Sequence, residues 1–295
     1  PAPRRSAPAM AQVLVNGIFL GSLFTVIAVG LTLVYGVMEV PNFAHAGVIV
    51  LAAYATWAAQ DAGLPFVVAV TVGVLAGGVV SVLTDLFAYR FVHDNPAAAP
   101  AVALGLLLIL QNLALRVWGG EGKALDTPYD GWRIQLAGVQ LPGVKAAVVV
   151  SAAVSLGLLA LLLGRTSLGR GIRAVAQDRE AATMLGLPIR RQYVMAFLIS
   201  GMLGGVAAVA FAPTFQVSPF MADTVLLSAF VVVVLGGLGS ILGAVLGGLA
   251  LGLVESAGAA YVSTSYQSAF GFLLLVAVLV LRPGGLRSVS ARRVA

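Results

Sequence analysis

The chain has 295 residues, 60% of them hydrophobic and 9% charged, where an ordinary soluble domain is roughly 25% charged. That balance excludes a soluble fold, and the absence of cysteine excludes disulfides, thiolate chemistry and cysteine-bearing zinc sites. The formal charge of +6 sits in one island and at the end of the chain, which argues against a nucleic-acid-binding face and for basic loops on the cytoplasmic side of a membrane.

In chain order, residues 1–9 precede Met10 and the first apolar block, and are read as a non-native or disordered leader. Apolar blocks then cover 11–37, 43–60, 64–88, 98–118, 146–164, 192–213, 222–254 and 265–282. A helix needs ~20 apolar residues to cross ~30 Å of hydrocarbon, so the fold class is an all-α polytopic membrane protein with about eight membrane-embedded segments. Residues 10–286 form a single transmembrane domain and 287–295 a cytoplasmic tail. The block 222–254, interrupted by Gly236-Gly237-Leu238-Gly239-Ser240, is long for one span and short for two. It reads as a re-entrant pair of half-length helices, with two short tilted spans as the alternative.

Two longer gaps set the orientation. The loop 119–145 carries both signs of charge (Glu121, Lys123, Asp126, Asp130, Arg133, Lys145), whereas 165–191 holds six of the seventeen basic residues. Placing the arginine island inside and the mixed loop outside puts the start of the first span outside and, with Arg282, Arg287, Arg292 and Arg293, the tail inside. The outer arginines of the island, Arg165, Arg170, Arg190 and Arg191, read as anchors to lipid headgroups.

Small residues recur at packing intervals: Gly73 with Gly77, Gly201 with Gly205, Gly239 with Gly243 and Gly247, Gly248 with Gly252. Close helix packing is the favoured reading of each pair over a sliding or pore-lining role. Polar groups inside spans are costly and invite a functional reading. Asn42 and His45 lie one turn apart after Pro41, either lining a path or serving as a helix cap and a carbonyl partner. Gln111 and Asn112 point about 100° apart, so only one faces a given cavity. With Gly236 and Gly237, these residues are the candidate translocation pathway. Glu255, Tyr261 and Tyr266 read as lying near a membrane surface, with Glu255 in water. No His-Glu-x-x-His, Gly-x-Ser-x-Gly or deep pair of acids is present, and Gly119-Gly-Glu-Gly-Lys123 lacks the spacing and Ser/Thr of a phosphate loop. The chain therefore reads as neither an enzyme nor a metalloprotein.

Within the island, Glu180-Ala181-Ala182-x-x-x-Gly186-Leu187-Pro188 resembles the Glu-Ala-Ala loop of ABC importer permeases. Gly30-Leu-Thr-Leu-Val-Tyr-Gly-Val37, Asn42-Phe-Ala-His45, Leu110-Gln-Asn112, Thr166-Ser-Leu-Gly-Arg-Gly-Ile-Arg-Ala174, Val234-Leu-Gly-Gly-Leu-Gly-Ser240 and Ala260-Tyr-Val-Ser-Thr264 resemble, in the same order, the LivH-type permease of branched-chain amino acid ABC importers. The resemblance implies a bacterial inner-membrane permease with a cytoplasmic coupling helix near 178–187. Asp178, Glu180, Ala181, Ala182, Gly186, Leu187 and Pro188 would then meet the ATPase. It also implies a LivM-type second permease, two ATPase subunits of LivG/LivF type that carry the ATP and Mg, an extracytoplasmic solute-binding protein, and no cofactor on this chain. Urea and short-chain amide permeases are similar, and an ion-coupled transporter or channel is the reading from a different class. In one departure, the acid that commonly follows Asn-Phe-Ala-His-Gly is missing after His45-Ala46-Gly47. This leaves open either a neutral or anionic solute, or a leucine-like solute and a purely structural acid.

Overall fold

The structure is a computed structural model that describes residues 7–92, 97–136 and 139–282; the expected tail 287–295 and residues 1–6 of the leader lie outside them. The first helix, α1 (Ala7–Met38), begins within the segment set aside as leader. It is followed by α2 (Ala44–Asp61), α3 (Phe66–Phe87), a 3-10 turn (Tyr89–Phe91), α4 (Ala99–Trp118) and a small hairpin of β1 (Arg133–Leu136) and β2 (Val139–Pro142). Then come α5 (Gly143–Arg165), α6 (Ser167–Gln177), α7 (Arg179–Met184), α8 (Ile189–Phe215), α9 (Met221–Gly236), α10 (Ile241–Tyr261) and α11 (Gln267–Leu281).

Apart from the antiparallel hairpin, in which Arg133 faces Pro142 and Leu136 faces Val139, the protein is all-α and polytopic. Helices satisfy every backbone polar group within the segment, which apolar surroundings demand. Among the described residues seven helices are long and apolar enough to cross a membrane: α1, α3, α4, α5, α8, α10 and α11. α2 is more polar, and it is enclosed by α3, α4, α8 and α9 rather than set at the edge. α1 is the axis of the bundle: 89% of its most apolar window is buried, against 11% for α11 at the periphery.

The expected glycines form seams between helices, except Gly239, which lies in the turn between α9 and α10. Gly77 and Gly201 meet backbone to backbone between α3 and α8, and Gly205 packs on Val74. Gly243 and Gly247 meet Gly236 between α9 and α10, while Gly248 and Gly252 abut Thr25 and Gly21 of α1. Such contacts let axes approach closely enough for dispersion forces and carbonyl contacts to hold helices together in lipid.

The pair near 222–254 differs from the re-entrant expectation. α10 runs 21 residues to Tyr261, because the helix continues through Glu255, where the apolar block was taken to end. Only α9, at 16 residues, is short. The break between them, with Gly237 at φ 95° and Gly239 at φ 78°, lies against Gly36, near the end of α1. Ser240 then starts α10 by accepting a hydrogen bond from the Gly243 amide at 3.0 Å. The chain thus turns at one end of the bundle and returns along α1.

Both ends are recognisable by their contacts. At one end, Lys123 pairs through its backbone with Val217, Gln60 donates to the Asp126 carbonyl at 2.8 Å, and Lys145 donates to Asn16 Oδ1 at 2.8 Å. At the other, Asp85 and Arg190 form an ion pair, and α6 and α7 pack beneath α1 and α8. The mixed-charge loop and the arginine island therefore occupy opposite ends, as parity requires.

Candidate functional site

The island folds as two helices joined at a sharp elbow. Thr166 starts α6 by accepting from the Gly169 amide at 3.0 Å, and Ile172 and Val175 bury one face while Arg170 and Arg173 stay exposed. Sequence reading missed this helix; the signal was the run Leu168, Ile172, Val175 at i, i+4, i+7 behind a threonine cap. Asp178 ends α6 and starts α7, its Oδ1 accepting from the Ala181 amide at 2.9 Å.

α7 stops through hydrogen bonds from Leu187 N to Ala182 O (3.1 Å) and from Gly186 N to Thr183 O (2.9 Å), with Gly186 at φ 75°. This double bond pattern requires a left-handed residue, which glycine adopts without steric cost. Ala182 is buried and anchors the helix, whereas Glu180 and Ala181 are exposed. Met184 and Leu185 are 86% and 81% exposed, an unusual display of two large apolar side chains on a polar elbow. Beside it, a cleft of about 450 Å³ separates the end of α1, at Gly36 and Glu39, from Asp178, Arg179 and Tyr193. The Arg179 guanidinium stands 5.8 Å from the centre of the Tyr193 ring and ties α7 to α8.

The arginines differ in role. Arg190 is not a lipid anchor: its Nη1 and Nη2 reach Asp85 Oδ1 and Oδ2 at 3.2 and 2.9 Å, and Asp85 is fully buried at the end of α3. A buried carboxylate requires a countercharge, and the residue after Pro188-Ile189 is placed to supply one. Arg165, Arg170 and Arg191 are exposed.

The candidate pathway residues are not brought together. Asn42 is fully buried but does not cap α2; Phe43 holds that position, and Asn42 Oδ1 accepts from the Tyr89 hydroxyl at 2.9 Å. His45 is enclosed between Gly30 of α1 and Gly204 of α8, with its Nδ1 3.4 Å from Ser200 Oγ, a packed position rather than a cavity wall. Gln111 is half-buried; Asn112 is exposed and donates to the Leu108 carbonyl of its own helix at 2.8 Å. Gly236 is clamped against Gly243, and Gly237 makes the turn. Glu255, read as wet, is instead buried, its Oε2 accepting from Gln267 Nε2 at 3.2 Å. Its partner lies twelve positions on, beyond a helix end, so no local pattern could reveal it.

A family profile described as "Branched-chain amino acid transport system / permease component" matches residues 13–279, almost the whole bundle and the whole elbow. The chain belongs to this permease family. The LivH permease protein of a high-affinity branched-chain amino acid transport system in Escherichia coli K12 is 30% identical over 290 residues, covering 93% of this chain and 94% of the relative. The corresponding BraD protein of Pseudomonas aeruginosa is 31% identical with the same coverage. Among solved structures, PsaBC from Streptococcus pneumoniae in complex with Fab matches with a TM-score of 0.46 and 12% identity, over 92% of the permease and 90% of that chain.

Proposed function

We propose that the permease is the membrane subunit of an ABC importer for branched-chain amino acids, working in a bacterial inner membrane with a LivM-type second permease, two ATPases of LivG/LivF type and an extracytoplasmic solute-binding protein. The observation that carries this is the family match over residues 13–279, with relatives named for that transport. The elbow supports the division of labour. α7 offers Met184 and Leu185 as an apolar knob, with Glu180 and Ala181 beside it, suited to a groove on an ATPase. Asp178, Gly186, Leu187 and Pro188 fix its two ends, and ATP and Mg belong to the ATPases, with no cofactor on this chain.

A push on α7 reaches the bundle by two rigid links: Ala182, seated in the core, and the short connection through Pro188 to α8, whose Arg190 grips α3. Nucleotide binding then shifts the equilibrium between two arrangements of the spans by its differential affinity for them. Reconstituting the complex in vesicles tests this: leucine uptake should need ATP and both ATPases. Uptake that persists without them on an ion gradient would establish an ion-coupled transporter instead. In the same system, Glu180→Arg should keep the ATPases bound yet lower leucine moved per ATP.

A further inference from the structure

Glu255 is a buried carboxylate inside a span with 6% of its surface exposed, and no basic side chain answers it among the described residues. Gln267 supplies one hydrogen bond, which satisfies one lone pair but no charge. The carboxylate lines a partly open pocket of about 130 Å³ between α1, α8, α9, α10 and α11, with the rings of Phe24 and Phe211 on its walls. Thr224 and Ser228 of α9 line it too. Helical hydroxyls commonly bond back to the preceding turn, as those of Thr56 and Thr71 do here, but among the described residues those of Thr224 and Ser228 do not.

The chemistry of this lining selects an occupant. One carboxylate, free hydroxyl oxygens and aromatic faces suit a group with three N–H donors and a positive charge. A metal ion would require more anionic or imidazole ligands, and no cluster of three such residues exists among those described. A second cavity of about 380 Å³ shares Phe215 and Gln267 with the first and carries Lys145 and Asn16. The two neighbouring cavities thus carry opposite charges, Lys145 in one and Glu255 in the other.

We propose that the Glu255 cavity is a subsite for a primary ammonium group carried on a small apolar chain. The amino group of a transported amino acid, which rests on the importer reading, and a free alkylamine share this chemistry. In either case the ammonium donates to Glu255 and to Ser228 or Thr224, and the chain lies along the phenylalanines.

The test uses the full permease complex in lipid nanodiscs, titrated by calorimetry with 3-methylbutylammonium chloride, leucine, 4-methylpentanoate and sodium chloride. The amine should bind saturably, and Glu255→Gln, which can still accept from Gln267, should weaken it at least tenfold. Ser228→Ala should weaken it about threefold, which keeps the test intact if the glutamate variant does not fold. Binding of leucine with the same sensitivity identifies the amino acid as the source; binding of the amine alone identifies an alkylamine. A response to 4-methylpentanoate or sodium chloride equal to that of the amine, or amine binding untouched by both variants, overturns the proposal. ATP-driven leucine uptake by the unsubstituted complex is scored separately, so its failure counts against the importer reading and not against this site.

Discussion

Where α1 meets α10, a Cβ added to Gly252 would strike the backbone of Gly21 and Gly17, whereas one added to Gly186 at the end of α7 would meet nothing within 4 Å. In the seam, glycine is required by space, and two helix axes depend on it. At the elbow it is required by a dihedral angle alone, φ 75°. The bundle is thus intolerant of added volume, while the elbow tolerates volume but not a change in backbone shape. On the importer reading, the part that fits a second protein is thereby separated from the parts that hold the first one together.

The strongest attempt to break this contrast is Gly252→Leu. Overpacking a seam typically costs 1–3 kcal/mol, and two backbones here have no rotamer to yield, so a loss of about 3 kcal/mol or more is expected as a collapsed melting midpoint in detergent. A normal midpoint would show that the seam can open. Next, Arg190→Ala should cost about 2 kcal/mol by leaving Asp85 buried without its countercharge. That is below the usual figure for breaking a buried pair, because the Arg190 side chain is 42% exposed. Gly186→Val should lower stability by only about 1–2 kcal/mol, the usual penalty of a left-handed conformation, yet cut leucine moved per ATP at least tenfold. Unchanged coupling would detach the elbow from transport. Asn112→Ala should move the melting midpoint by less than the equivalent of about 0.5 kcal/mol, since it removes a bond to its own helix on an exposed surface.

Much of this was legible from local pattern. The spans followed from hydropathy, the ends of the bundle from the contrast between the mixed loop and the arginines, and the seams from glycines spaced four apart. α7 was readable from Asp178 at its start and Gly186 with Pro188 at its end, since caps are local chemistry. What failed depended on partners far along the chain. Arg190 looked like one more surface cation because Asp85 is 105 positions away. Glu255 looked like a helix end because burial by a neighbouring helix leaves no mark on its own segment. Asn42 looked like a cap, but the Tyr89 hydroxyl claims its side chain from 47 positions on. The polar pathway candidates were chosen by residue type, and type does not reveal whether a side chain faces a cavity or a packed neighbour.

The central position of α1 also constrains how the protein is made. Its partner surface on α10 lies 220 positions downstream, as the contact of Thr25 with the Val245 carbonyl measures. At a synthesis rate of about 5–20 residues per second, α1 waits roughly 10–40 s for that surface to emerge. During that interval the side of α1 that α10 will cover faces lipid, while α5, α8 and α9 reach its other sides earlier. Its uniformly apolar circumference, redundant in the finished bundle, is what makes that wait survivable. The Thr25 and Thr32 hydroxyls are the groups to watch in an arrested chain, because in the finished protein both are buried.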